Sequence, residues 1–356
     1  LCCMKKLSIV VATYNRAQSL LRTLESVVAQ TAPAELWECV VVNNNSSDDT
    51  AELFADFAAT HSGYSLKMVD EPKQGLSNAR NCGIEASDGS YIAIVDDDET
   101  LEESFVESYI EFFDSFPTAL AAGGAVKVHY EGHRPKWMSR FTEQMIANTL
   151  DLDVVVTLFP ESRVPAGGNM AFRREAFDRV GLFNPQLGRN GKNLVGGEEN
   201  DLFARLRRAG EELYFVPNAA IYHYIPDSKL TEDYFDRLSY NVGLSKRMRA
   251  EADGCVPQLL RKEGIKQVVT YLLALLYLLT LQPQRAKYLI RMRKGIYKGV
   301  KKYTVFPKCL LVSSLARCAI CSRKGLAAGD KRALKSSIVH TSCSSAVFTS
   351  DAVYML

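Results

Sequence analysis

Apolar positions in the first hundred residues follow two alternating rhythms. Leu7-Ser8-Ile9-Val10-Val11-Ala12 is a short, β-rich run, the pattern of a strand covered on both faces. Leu20, Leu21, Leu24, Val27 and Val28 then recur at helical spacing. Residues 39–42 predict a second strand, and Asp48 is placed to cap a helix carrying Leu53, Phe54 and Phe57 on one face. A strand over 66–69, a helix running to Ala86 and a strand over 91–95 continue the alternation. Such spacing predicts βαβ units: an α/β fold whose mostly parallel sheet is flanked by helices, with ligands collecting at the carboxyl edge of the strands.

Beyond residue 120 the rhythm loosens. Residues 125–130 and 154–159 read as strands divided by a loop holding Trp137, and 166–169 as a flexible turn. Residues 198–209 read as a helix with Leu202, Phe203 and Leu206 inward and Arg205, Arg207 and Arg208 outward, and 231–250 as another. Residues 268–281 are almost wholly apolar, and from 303 onward no period persists, which predicts a poorly ordered tail. A length of 356 residues predicts about two folding units. The expected division is a catalytic domain over 1–235 (halves meeting near 120), a basic helical region over 236–302, and the tail over 303–356.

Composition narrows the class. Hydrophobic residues at 47% and charged residues at 24% suit a buried core and exclude a disordered chain or a collagen-like rod. Lys and Arg (43) nearly balance Asp and Glu (41), so no global field recruits nucleic acid. The balance is uneven, however. Between 261 and 302 Lys and Arg recur against one acid, Glu263, so the preceding part is net acidic. The 9 cysteines are scattered, and Cys318-x-x-Cys321 lacks a second ligand pair, so a reducing compartment is expected and a zinc site is not. The opening residues point to a start at Met4 without a signal peptide.

Four groups carry candidate chemistry. Asp96, Asp97 and Asp98 close the strand over 91–95. Charges so close repel unless a cation neutralises them, and hard oxygen donors suit Mg²⁺ or Mn²⁺. By itself such a triplet is more often a solvated cap, but the carboxyl edge of a parallel sheet favours a site. Thr13, Tyr14 and Arg16, and then Asn43 and Asn45, end the first two strands, where turn chemistry alone would account for them. Glu198 and Glu199 open a helix, where acids favour its dipole. His223 follows a strand, where packing is the commoner role for a lone histidine.

Together, "VVATYNR", "VVNNNSSDDT", "GLSNARNCGIEAS", "YIAIVDDDE", "AGGNMAFRREAF" and "GGEENDLFARLRRAG" resemble, in order and spacing, family 2 glycosyltransferases of the GT-A fold over residues 7–250. The resemblance implies an inverting enzyme that uses a nucleotide-diphosphate sugar, usually UDP-linked. It places Thr13, Tyr14 and Arg16 beside the nucleoside, and Asn43 where the family has a uracil-reading Asp. That exchange adds a donor face and leaves room for other bases. Arg80 would lie near the base or diphosphate, Asp96 and Asp97 at the nucleotide, and Asp98 with Asp96 and His223 at an Mg²⁺ or Mn²⁺ ion. Glu199 would be the general base, with Glu198 next in register. Gly167, Gly168, Asn169 and Trp137 would border the donor and acceptor sugars. The competing readings are a degenerate homologue that binds sugar nucleotide or acts as a scaffold, and a nucleotidyltransferase, although "TYNRAQS" lacks a glycine-rich phosphate loop.

The uncharged run at 268–281 is shorter than the roughly 20 residues of a membrane span, and basic residues stand on both sides of it. This predicts a peripheral or monotopic enzyme on the cytoplasmic face of the plasma membrane, acting on a glycan or lipid-linked acceptor.

Overall fold

The computed structural model describes residues 5–190 and 196–302. The first half contains β1 (Leu7–Thr13), α1 (Ala17–Val28), β2 (Trp37–Asn43), α2 (Thr50–Thr60), β3 (Leu66–Asp70), α3 (Leu76–Ala86), β4 (Tyr91–Asp96), β5 (Glu99–Leu101) and α4 (Phe105–Ser115). There follow β6 (Ala121–Tyr130), α5 (Arg140–Ala147), β7 (Thr157–Leu158), β8 (Met170–Arg173), α6 (Glu175–Val180), α7 (Glu198–Arg208) and β9 (Leu213–Ile225). Three helices end the described chain: α8 (Glu232–Ala252), α9 (Val256–Leu279) and α10 (Pro283–Lys301).

All seven residues of β1 are buried, as a strand sandwiched between helices requires. The sheet runs β3-β2-β1-β4-β8-β6-β9-β5, with β7 pairing β9. Only its first half is parallel throughout: β3-β2, β2-β1 and β1-β4. The expectation of a mostly parallel sheet is corrected here. β8 lies antiparallel between β4 and β6, and β5 and β7 run antiparallel to β9, so the sheet is mixed. A short buried run reads the same in either direction, and the connection before it decides which way it enters the sheet. The strand expected over 154–159 shrinks to two residues, and Val154 stands 89% exposed, because β-branched residues without a pairing partner form no ladder. The tail expected from 303 lies outside the described residues.

Two hydrophobic cores result. One surrounds the sheet, and the second gathers Met138, Phe235, Tyr288, Leu289, Met292 and Ile296 from the 138–147 segment, α8 and α10. Trp137 belongs to this second group, stacked 4.2 Å from Tyr288 and edge-on to Phe235. At the α8–α10 crossing the backbones nearly touch. A Cβ on Gly299 would stand 2.1 Å from the Tyr240 carbonyl oxygen, and one on Gly243 2.0 Å from that of Ile296. Backbone atoms cannot rotate away, so the crossing tolerates no side chain there.

This contrast is testable. Gly299→Ala gains roughly 1 kcal/mol of helix propensity but overpacks the crossing at a cost of about 1–3 kcal/mol. Gly264, on α9 with nothing within 4 Å, meets no such obstacle. Urea unfolding is expected to show Gly299→Ala destabilised and Gly264→Ala stabilised, and equal gains would contradict the close crossing.

Candidate active site

The carboxyl edges of β1, β2 and β4 open into a cleft of about 450 Å³, closed on its far side by the amino end of α7 and by Leu238, Val242 and Arg249 of α8. Strand geometry delivers its acids. β4 ends at Asp96, and the turn into β5 presents Asp97, Asp98 and Glu99 in succession.

Each aspartate meets cationic partners supplied by the chain. Asp96 receives Arg80 Nη2 at 2.8 Å. Asp97 accepts from Arg16 Nη1 and from Thr13 Oγ1, both at 2.8 Å. Asp98 Oδ2 receives Lys229 Nζ at 2.5 Å and Arg16 Nη1 at 3.1 Å, with His223 Nε2 at 3.8 Å. Burial pushes Asp98 upward, but Lys229, His223 and Arg16 outweigh it and hold the carboxyl well below the usual carboxylate range. Burial raises Asp97 despite Arg16. Glu99 is different: it accepts the Asp96 amide at 3.0 Å, and burial, reinforced by Asp96 and Asp98, pushes it well above the usual range. A Cβ on Gly168 would fall 2.2 Å from the Glu99 carboxylate, so any larger residue there would push that side chain aside.

Arg80 is the hub. Its guanidinium, 1% exposed, also binds Glu198 Oε1 at 2.8 Å and the Gly167 carbonyl at 2.9 Å. The other Glu198 oxygen and Arg80 Nε have no partner among the described residues. Glu199 faces the cleft beside Gly167 and accepts from Asn200 Nδ2 at 2.5 Å. Burial and the neighbouring Glu198 push Glu199 up to about 7. A carboxylate poised near neutrality and open to the cleft is suited to taking a proton, whereas Glu198 is held in an ion pair.

His223 Nδ1 lies 2.8 Å from the Ala147 carbonyl, which can only accept, so Nδ1 carries a hydrogen and the ring is oriented with Nε2 toward Asp98 and Lys229. Nε2 and the Asp98 carboxylate converge on the Lys229 ammonium, 3.3 Å from Nε2. No group of three or more His, Cys, Asp and Glu gathers to hold a metal among the described residues. Asp98 and His223 nevertheless fit a hard divalent ion of the kind completed by water and phosphate oxygens. A back-bonded imidazole is the usual form of a metal-binding histidine, and a cation already sits between the two groups.

Of the residues singled out in the sequence, Thr13, Tyr14, Arg16, Arg80, Asp96, Asp97, Asp98, Gly167, Gly168, Glu198, Glu199 and His223 all line this cleft. Four expected here sit elsewhere. Asn43 donates to Asp70, and Asn45, at φ 64°, donates to the Pro72 carbonyl. Asn44, between them, lines the cleft and clasps the 71–75 loop through the carbonyls of Glu71 and Lys73 and the amide of Gly75. Asn169 is buried, accepting from Tyr109 and donating to the carbonyls of Ala125 and Ala219. Trp137 lies in the second core. Lys229 was missed, since nothing local marks a lysine six residues past His223 as a partner for Asp98.

Residues 8–181 match the family described as Glycosyl transferase family 2. The chain is 29% identical over 254 residues to a glucosyl-dolichyl phosphate glucuronosyltransferase of Haloferax volcanii, covering 68% of this chain and 77% of that protein. It is 26% identical over 236 residues to the succinoglycan biosynthesis protein ExoM of Rhizobium meliloti, covering 65% of this chain and 71% of that one. Among solved structures, the mannosyltransferase PcManGT of Pyrobaculum calidifontis, in complex with GDP-Man and Mn²⁺, superposes with a TM-score of 0.53 at 17% identity. That match covers 89% of this chain and 81% of the other, and it shows a shared GT-A-like fold.

The Arg80 hub yields a direct expectation. Arg80→Met leaves Glu198 buried without its counter-charge, a loss of about 3–5 kcal/mol on the scale of broken buried pairs. Glu198→Gln, which can still accept from the guanidinium, should cost less. Equilibrium urea unfolding checks both, and an Arg80→Met loss below about 1 kcal/mol would show that the pair does not hold α3 to α7.

Proposed function

For a chain that belongs to glycosyl transferase family 2 and is a glycosyltransferase, we propose an inverting transfer from a nucleotide-diphosphate sugar to a hydroxyl of a glycan or lipid-linked acceptor. The donor is read as a UDP-sugar and the setting as surface polysaccharide or glycoconjugate synthesis. The observation that carries the reading is one cleft in which Glu199, held near neutral, faces a strand end where Arg16, Arg80 and Lys229 surround three aspartates.

A sugar hydroxyl is a weak nucleophile. In the proposed step Glu199 takes its proton, the oxygen forms a bond to the anomeric carbon from the face opposite the leaving group, and the bond from that carbon to the diphosphate oxygen breaks. Arg16 and Arg80 line the cleft beside the aspartates, and fixed cations there would stabilise the charge that grows on the departing diphosphate without reorganising. A divalent cation bound at Asp98 and His223 would supply further neutralisation there. The solved relative's complex with GDP-Man and Mn²⁺ supports a nucleotide-sugar donor and a metal, and the glucuronosyltransferase named for glucosyl-dolichyl phosphate supports a lipid-linked acceptor. Because Asn43 is turned to Asp70 instead of into the cleft, UDP is tested against GDP in a thermal-shift panel with and without Mn²⁺.

Glu199→Gln keeps the shape and loses the base, so kcat should fall by roughly 10²–10⁴ while donor affinity stays near that of the parent. Retained activity in Glu199→Gln with loss in Glu198→Gln would move the base by one residue. The pH profile is the second check. Because the base works ionised and its pKa is raised to about 7, log kcat/KM should climb with unit slope below pH 7 and level above it. An acid limb at the ordinary carboxylate range would overturn the assignment. Asp98→Asn should weaken nucleotide binding in the presence of Mn²⁺ while leaving the fold intact, and turnover unchanged in EDTA would exclude a metal role.

A further inference from the structure

The apolar second half of α9 turns much of its hydrophobic surface outward. Of the 24 residues of α9, those buried are Glu263, Thr270 and Ala274. Glu263 is gripped by Arg293 at 2.7 Å and Lys246 at 2.9 Å, and Arg293 Nε reaches Thr270 Oγ1 at 3.2 Å. Meanwhile Ile265, Val268, Leu272, Leu275, Leu276 and Leu279 are each more than half exposed. At 100° per residue these six lie within an arc of about 100°, the width with which a helix in water ordinarily faces its core. Here that arc faces away from the protein. The turn after α9 extends it: Leu281 takes a left-handed φ of 56° and stands 88% exposed.

The exposed charge on α9 and α10 is positive. Arg261 and Lys262 stand exposed before the face on α9, and Lys294 and Lys298 are exposed on α10, where Lys287 pairs with Glu232 of α8. Across α9 and α10 the one acid is Glu263, which is buried. No described helix is long and apolar enough to cross a membrane, so the face suits a helix lying in the plane of an interface. We propose that α9 and its turn embed this leucine face in a lipid surface bearing anionic headgroups, with the α10 lysines meeting those headgroups. Two other covers are opposed by charge. A second copy would bring positive charge against positive charge whichever way the helices ran, and residues 303–356 are themselves net basic. The proposal is independent of the transfer chemistry, since it is read by binding alone.

The test is co-sedimentation of the full chain with vesicles of phosphatidylcholine, pure or mixed equally with phosphatidylglycerol. The wild type should pellet with the mixed vesicles about tenfold or more better than with the pure ones. Leu272→Gln, Leu275→Gln and Leu279→Gln combined should remain in the supernatant with an unchanged melting curve, and Lys294→Glu with Lys298→Glu should lose the preference for anionic vesicles. A photoreactive side chain at position 272 should label acyl chains. Wild type left in the supernatant with both vesicle types, the leucine variant binding as well as the parent, or cross-links from 272 into residues 303–356 or a second copy would each overturn the proposal.

Discussion

A single buried guanidinium sets the geometry on which the cleft depends. Arg80, carried by α3, reaches Asp96 at the end of β4, Glu198 at the start of α7 and the carbonyl of Gly167 in the loop before β8. These partners come from parts of the chain up to 118 residues apart. A guanidinium has a rigid fork of donors and stays charged, so it fixes direction as well as distance. One consequence falls on Glu199. With Glu198 drawn to Arg80, the next carboxylate is left half-buried at the cleft, where burial and its neighbour's charge raise its pKa to about 7. The base reading therefore rests on an ion pair in which the base takes no direct part.

The acidic strand end obeys the same economy of charge. Four consecutive acids at one turn would repel strongly, yet each finds its own resolution: Arg80 for Asp96, Arg16 for Asp97, Lys229 with Arg16 for Asp98, and a raised pKa for Glu99. The protein thus folds around its acids with cations of its own. The same cations suit a diphosphate, and the convergence of Asp98 and His223 on Lys229 marks where positive charge is most favoured. In the proposed reaction, one set of side chains would serve both structural neutralisation and phosphate recognition.

The helices after β9 join this site to the surface. α8 forms one wall of the cleft, its packing on α10 fixed by glycines that let backbones meet, and α10 in turn carries α9. The Glu263–Arg293 pair on the buried side of α9 orients that helix, so Glu263 and Thr270 face inward while Val268, Leu272, Leu275, Leu276 and Leu279 face outward. A lipid-facing α9 would hold the cleft wall a helix-layer away from the lipid surface.

Local sequence was enough for the βαβ rhythm of residues 7–96 and the helices over 198–209 and 231–250, while the resemblance of six segments to a known family implied the gathering of Thr13, Arg16, Arg80, Asp96, Asp98, Glu198, Glu199 and His223 at one edge. Periodicity records whether a position is buried, and strand order in βαβ units follows from handed crossovers, so both can be read from neighbours in the chain. The direction of β8, the choice of Asn44 over Asn43 and Asn45, the retreat of Asn169 and Trp137 into packing, and the pairing of Lys229 with Asp98 could not be read in this way. Those depend on which distant segment arrives alongside: Lys229 and Asp98 are separated by 131 residues, and β8 takes its direction from the path between it and β6. Likewise the apolar run in α9 was plain in the sequence, but which way it faces was decided by a buried glutamate and the arginine, 30 residues further on, that holds it.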